Sequence, residues 1–196
     1  MLLPTLATPR LRLTPVRAED LDLVRTVNSD EAVMQNLAGR AATQEETDVE
    51  WERRLGERSD ARRGLGYWIG WEGGAFVGWW GLGACSWDAT TANLGYRLLP
   101  GYWGRGLGTE GSAALLRHAF DTARMDSIWA STTQQNVASQ RVLAKLSMRY
   151  LGIRYDHCQY KITSEEWAAA QTQEATLLDA ANPATPELLS RHAGQS

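Results

Sequence analysis

Leu11, Leu13 and Pro15 alternate with polar residues near the start of the chain, a period that predicts a first strand. The period then changes. Leu21, Val24 and Val27 fall at helical spacing in AEDLDLVRTVN, as do Thr47, Trp51 and Leu55 in TQEETDVEWERRLGE. Thr43 and Glu46 suit a capping box at the start of this second helix. Two aromatic and β-branched runs, YWIGW and AFVGWWGLGA, flank Gly73-Gly74 and read as a hairpin. ANLGYRLL is a further strand, stopped by Pro100-Gly101.

The second half continues in mixed order. GTEGSAALLRHAFDTAR predicts a helix with Ser112, Leu115, Leu116, Ala119, Phe120 and Ala123 on one face. SIWASTT is a strand, NVASQRVLAKL a short helix, and RYLGI and HCQYKIT two closing strands. TSEEWAAAQTQEATLLDA is a last helix, with Thr163 and Glu166 placed for another capping box. The class is therefore α+β, a mixed α/β arrangement around a mostly antiparallel central sheet of about seven strands. One domain over 1–181 is expected. The Pro-, Ala- and Ser-rich tail, 182–196, is expected to be disordered.

Composition narrows the classes of function. A net charge of −3 and the absence of a basic stripe argue against direct binding to nucleic acid. No run approaches the roughly 20 apolar residues of a membrane helix. The opening MLLPTLATPRLRL lacks a basic segment followed by an apolar one, so no secretory leader is expected and the cytoplasm is the default location. Cys85 and Cys158 form no CxxC and no ligand cluster with His118, His157 or His192, so two reduced thiols and no metal are expected. Nine tryptophans are the unusual feature; Trp79 and Trp80 are consecutive and should point to opposite faces of a strand.

The most informative segment is PGYWGRGLGTEG, with Gly104, Gly106 and Gly108 between a strand and a helix. Glycine permits positive φ and close approach of backbone to a ligand. The following helix start aims unpaired N–H groups outward, with the positive end of the dipole behind them. Together these make an anion site, to which Arg105 can add charge, and the small residues from Gly111 to Ala114 leave room beside it. Gly106, Gly108 and Gly111 spell GxGxxG, but a dinucleotide fold needs an acid closing the next strand, and SIWASTTQQ supplies none. Gly101 and Gly106 have P-loop spacing, but Leu107-Gly108 stand where Lys and Ser/Thr are required. A tight turn without a ligand is disfavoured, because each glycine carries an entropic cost of about 0.5–1 kcal/mol.

WGRGLG resembles the first cofactor motif of the GNAT superfamily of N-acetyltransferases. The stretch LGYRLLPGYWGRGLGTEGSAALLRHAF is similar to the RimJ/RimL branch, with Trp103 at a position where other members have Gln or Arg. TPRLRLTPVRAEDLD, NVASQRVLAKLSMRYLG and KITSEEW resemble further segments of that branch, in the right order, over about residues 8–168. The resemblance implies a sheet whose strands at 92–99 and 127–133 splay apart to admit acetyl-CoA. It implies pantetheine pairing with the backbone of Leu98 and Leu99. The pyrophosphate would lie on Gly104, Arg105, Gly106, Leu107, Gly108 and Thr109. Asn136 would bond the pantetheine arm, and Lys145 the 3′-phosphate. Asn136 also reads as a helix N-cap, and Lys145 as a solvated lysine.

The implied reaction moves an acetyl group to a primary amine by direct attack in a ternary complex. The amine must lose a proton, and the departing thiolate must gain one. The acceptor is a protein N-terminus or a small molecule; monomer or homodimer is left open. A non-catalytic acyl-CoA-binding module is the alternative, because the chain departs from the family's chemistry. Leu143 stands where many members have an acidic Tyr, Ser131 where some have Glu, and Asn93 where strand four often carries an acid. Ser139, three residues after Asn136, matches a serine used as proton donor in RimL-type enzymes, and it also reads as a plain surface serine. Asp88, Asp156, His157 or water is left as the base. Glu110 complements the helix dipole and is not expected to be the base. Ser147 replaces a family glycine, a change expected to be harmless.

Overall fold

The computed structural model describes residues 2–181. An eight-stranded sheet runs through it in the order β1-β2-β3-β4-β5-β6-β8-β7. The strands are β1 (Leu6–Ala7), β2 (Leu11–Pro15), β3 (Gly66–Glu72), β4 (Ala75–Ala84), β5 (Thr91–Leu98), β6 (Ser127–Thr133), β7 (Arg149–Arg154) and β8 (His157–Thr163). The helices are α1 (Leu21–Asn28), α2 (Glu31–Gln35), α3 (Gln44–Gly56), α4 (Leu107–Arg117), α5 (Val137–Lys145) and α6 (Ser164–Ala181). The expectation of about seven strands is corrected by β1, which at two residues is too short to show a period. The expectation for 182–196 lies outside the described residues.

Local chemistry sets these elements. Glu72 pairs with Ala75 across Gly73 and Gly74, both with positive φ, so the tight hairpin forms where it was expected. Thr43 Oγ1 accepts from Glu46 N while Glu46 accepts from Thr43 N, closing the box at the head of α3. Thr163 and Glu166 repeat the exchange at the head of α6.

The sheet separates two cores. Trp80 packs with Leu82, Leu94, Leu107, Leu115, Ile128 and Leu143 on the side of α4 and α5. Trp79 packs with Val24, Val27, Trp51, Tyr67 and Ile69 on the side of α1 and α3. The two adjacent indoles thus anchor opposite faces, as strand alternation requires.

One feature of the sheet positions the site. Every neighbouring pair is antiparallel except β5 with β6. That parallel pair is joined only at Thr91↔Ser127, Ala92↔Ile128 and Asn93↔Trp129. Beyond this point β5 stays with β4 as far as Leu98, and β6 stays with β8 as far as Thr133. The two strands therefore diverge and leave a V open towards the head of α4.

Candidate active site

The turn between β5 and α4 is built to present backbone N–H groups. Gly104 and Gly106 take φ of 71° and 81°, the left-handed region that glycine enters without steric cost. Gly106 is the N-cap of α4 and offers no side-chain acceptor, and the first backbone bond is Glu110 N to Gly106 O at 3.0 Å. Among the described residues, the N–H groups from Gly104 to Thr109 find no backbone or side-chain acceptor. This is the donor set that a pyrophosphate fits.

The turn is braced from the first strands. Arg10 donates from Nη1 to Arg105 O at 2.8 Å. Glu110 accepts from Thr8 Oγ1 at 2.5 Å, Arg10 N at 2.9 Å and Arg10 Nε at 2.7 Å. Burial opposes ionisation of Glu110, but these donors hold its pKa below the usual value. Glu110 is thus a clamp. The Arg105 guanidinium turns to Glu72 at 2.8 Å and lies over the Tyr102 ring. What Arg105 offers the turn is its N–H, not a free charge.

The neighbouring glycines have a different task. A Cβ on Gly111 would lie 2.5 Å from Trp80 Nε1, and one on Gly108 would lie 3.2 Å from the Tyr96 ring. Gly111 therefore lets α4 descend onto the sheet; it does not leave room for a ligand, as the sequence had suggested. Trp80 and Tyr96 are cross-strand partners, stacked with centroids 6.4 Å apart beneath the helix.

The walls of the V differ in what they leave free. Leu99 N donates to Val77 O at 3.0 Å, and Leu99 O accepts from Tyr102 N at 3.0 Å. Both backbone groups of Leu99 are thus engaged within the chain, which leaves the strand edge before it, up to Leu98, to face the V. Alternation along the β4–β5 ladder then turns the N–H and C=O groups of Leu94, Tyr96 and Leu98 towards β6. Leu98 O is taken by Trp103 Nε1 at 2.8 Å, which is how the half-exposed Trp103 ring is held over the turn.

On the opposite wall, Asn136 Oδ1 accepts from Ser139 N at 3.1 Å, so Asn136 is the N-cap of α5. Ser139 is half-buried and Lys145 exposed on the same helix. Tyr96 is turned towards the side of α4 and α5: its ring stacks on Trp80, and the Ser139 side chain acts on its hydroxyl. Burial pushes the Tyr96 pKa up, and the contact with Ser139 opposes that shift. Sequence reading named Ser139 and missed Tyr96. The signal was present, since Leu94, Tyr96 and Leu98 alternate and only Tyr96 carries a polar end.

Leu143 is buried in the core, consistent with its inability to act as an acid. Asp88 is corrected. It precedes Thr91, beyond the closed end of the V, and its carboxylate accepts from Thr90 N at 2.8 Å and Thr91 Oγ1 at 2.8 Å. These bonds hold its pKa below the usual value and make it an organiser of the turn. His157 does lie at the open end, cross-strand from Thr133. Its Nδ1 lies 2.8 Å from Tyr155 O. A carbonyl only accepts, so Nδ1 is the donor in this bond and Nε2 is free of it. Asp156 occupies the exposed turn before it, with φ of 61°. Thr133 Oγ1 donates to Asn36 O at 2.8 Å, which ties the segment after α2 to the end of β6.

A splayed sheet with an N–H-lined turn at its mouth defines an enzyme of acyl-CoA chemistry. Residues 10–149 match the acetyltransferase (GNAT) domain family, and the chain belongs to that family. It is accordingly an acetyl-CoA-dependent N-acetyltransferase. The chain is 30% identical over 193 residues to the FsC-acetyl coenzyme A-N(2)-transacetylase of Aspergillus fumigatus, covering 88% of this chain and 82% of that protein. A putative acetyltransferase from T. thermophilus shares the fold at a TM-score of 0.70 with 26% identity, covering 88% of this chain and 96% of the other. The RimJ protein of Mycobacterium smegmatis, solved with CoA-disulfide, has a TM-score of 0.65 at 21% identity, covering 86% of this chain and 95% of the other, and shows the fold alone.

Proposed function

We propose that this enzyme moves the acetyl group to a primary amine by direct attack in a ternary complex, with no acetylated side chain on the way. Acetyl-CoA supplies an activated acetyl thioester. The chain binds it through the N–H groups of Gly104 to Thr109, through the strand edge at Tyr96 and Leu98, and through Asn136. The observation that carries this reading is the run of N–H groups from Gly104 to Thr109, without acceptors among the described residues, at the mouth of the V where the two strands have parted. Ser139 holds a proton at Oγ that is available to the departing thiolate. Tyr96 orients that hydroxyl.

His157, whose Nε2 is free of the bond to Tyr155 O, is the candidate base for the incoming amine. It stands on β8, cross-strand from Thr133 at the end of β6. No nucleophile is needed when both reactants are held together. Assignment to the RimJ/RimL branch is supported by Trp103 and by its bond to Leu98 O, which fixes the turn by an indole. A cytoplasmic location and a domain spanning 1–181 belong to the same reading. Among the described residues, no helix is long and apolar enough to cross a membrane.

Initial-rate kinetics test the proposal. Intersecting double-reciprocal lines, with no acetylated protein in the mass spectrum after incubation with acetyl-CoA alone, are expected. Parallel lines with a mass gain of about 42 daltons, an acetyl group replacing hydrogen, would overturn direct transfer.

A further inference from the structure

The face of the sheet opposite α4 has a definite charge character where it leaves the α1–α3 core. Strand pairing puts Asn93, Trp129 and Lys161 in one row across β5, β6 and β8. Ser131 pairs with Gln159, and Thr133 with His157, so these four side chains share that face with the row. On β5, Gly95 and Arg97 follow Asn93 at intervals of two, and Arg97 lies over Trp79, which belongs to the α1–α3 core. A Cβ on Gly95 would meet nothing within 4 Å, so this face is open where the strands part.

No residue contributed by these strand positions is acidic. Lys161 Nζ lies 5.5 Å from the Trp129 ring centroid, which keeps the ammonium on the face. Arg154 pairs with His157 at the far end. The carboxylate that reaches the opening from α3, Glu50, is saturated. It accepts from Arg97 Nη2 at 2.9 Å and Arg54 Nη2 at 2.6 Å, and from Asn28 Nδ2 at 3.1 Å. Burial opposes its ionisation, yet the two guanidiniums hold its pKa below the usual value. Two cations against one anion leave this cluster with a net positive charge. Asp88, at the closed end of the sheet, keeps its charge but turns its carboxylate to Thr90 N and Thr91 Oγ1, and among the described residues it makes no ion pair with Lys161. Asp156 is at the exposed tip of the hairpin.

We infer that the acceptor is a primary amine carrying a carboxylate a few bonds from the nitrogen, and that polycationic amines are rejected. The inference rests on the acetyl-transfer reading above and assigns the acceptor's charge within it. Adjacent strands are about 4.8 Å apart, so Lys161 stands about 10 Å from Asn93 across the row. An amine entering the V can therefore place a carboxylate over Trp129 and Ser131, towards Lys161 and His157. A polyamine would meet Lys161, Arg97 and a Glu50 already paired there, so its charges would find no free carboxylate on these strand positions.

The test uses the full chain loaded with CoA and three C-terminally amidated dipeptides, Ala-Glu, Ala-Gln and Ala-Lys, with spermidine as a fourth probe. Calorimetric affinity and, with acetyl-CoA, kcat/KM should fall in the order Ala-Glu, Ala-Gln, Ala-Lys, by about fivefold to tenfold overall, with spermidine weakest. Lys161→Glu should invert the order, and Lys161→Gln should flatten it, without changing the affinity for CoA. Equal or reversed affinities in the native chain, or no measurable binding of Ala-Glu, overturn the inference. Loss of the acetyl-transfer reading would show separately, as failure of the native chain to bind CoA or to acetylate any of the four amines.

Discussion

Gly111 lies so close to Trp80 that any side chain on the helix would strike the indole: a Cβ there would fall 2.5 Å from Nε1 of a ring that is wholly buried. The helix that presents the N–H groups is seated on a rigid aromatic floor. Gly111→Ala is expected to destabilise the fold by about 1–3 kcal/mol, since a filled core resists an added methyl group. Chemical denaturation of both proteins checks this, and an unchanged midpoint would mean that α4 has room to rise.

Ser139 and Tyr96 should separate in kinetics. Ser139→Ala is expected to lower kcat by about 10²-fold, at the low end for a lost proton donor, with a smaller effect on the KM for acetyl-CoA. Tyr96→Phe should lower kcat by a smaller factor, because Ser139 keeps its proton and loses only its orientation. Steady-state rates with a saturating amine measure both. Full kcat in Ser139→Ala would make the serine structural. Asn136→Ala should also cost about 1 kcal/mol of stability through the lost cap on α5.

Ser147 ends α5 with φ of 60°. Ser147 N donates to Ala144 O at 3.0 Å and Met148 N to Leu143 O at 3.1 Å, the paired closure of a helix end in which glycine is preferred. The replacement expected to be harmless thus has a conformational cost. Ser147→Gly should raise stability by about 1 kcal/mol, read as an upward shift of Tm.

Glu50 links α3 to β5 and should shape the acid limb of stability. Its pKa is depressed in the folded protein, so its contribution is fully present above the ordinary value of 4.5 and is lost as the pH falls through the lower, folded value. Glu50→Gln should flatten the stability profile below pH 4.5. Glu50→Ala should be costlier, by about 3 kcal/mol, because Arg97 and Arg54 would remain partly buried without an anion. Urea unfolding across that pH range measures both.

Much of this architecture was legible along the chain because its signals are local. The hairpin at Gly73-Gly74, the boxes at Thr43 and Thr163, and the opposed Trp79 and Trp80 depend on residues within a few positions of one another. The turn at Gly104–Gly108 was legible for the same reason. What was not legible depends on distant partners. Gly111 reads as spare room until Trp80 is placed beneath it. Asp88 reads as a free base until Thr91 and the strand pairing show which end of the V it occupies. Leu99 N is drawn to Val77 O, and Tyr96 is turned towards α4 by its stacking on Trp80, through contacts between different elements. Asn28, Glu50, Arg54 and Arg97 come from three elements, and no spacing along the chain announces that they meet.

The central claim is that the N–H groups of the Gly104–Thr109 turn hold the pyrophosphate of acetyl-CoA. It is tested most directly by the CoA affinity of Gly106→Val, measured by calorimetry on a variant shown by circular dichroism to be folded. Gly106 is at φ of 81°, where a β-branched residue is strained, and a valine side chain would also stand in the path of the ligand. The expected result is a loss of affinity of about 100-fold or more, about 2.7 kcal/mol, together with loss of the rise in Tm that CoA gives the native chain. A folded Gly106→Val that binds CoA as tightly as the native chain would contradict the claim and place the pyrophosphate elsewhere.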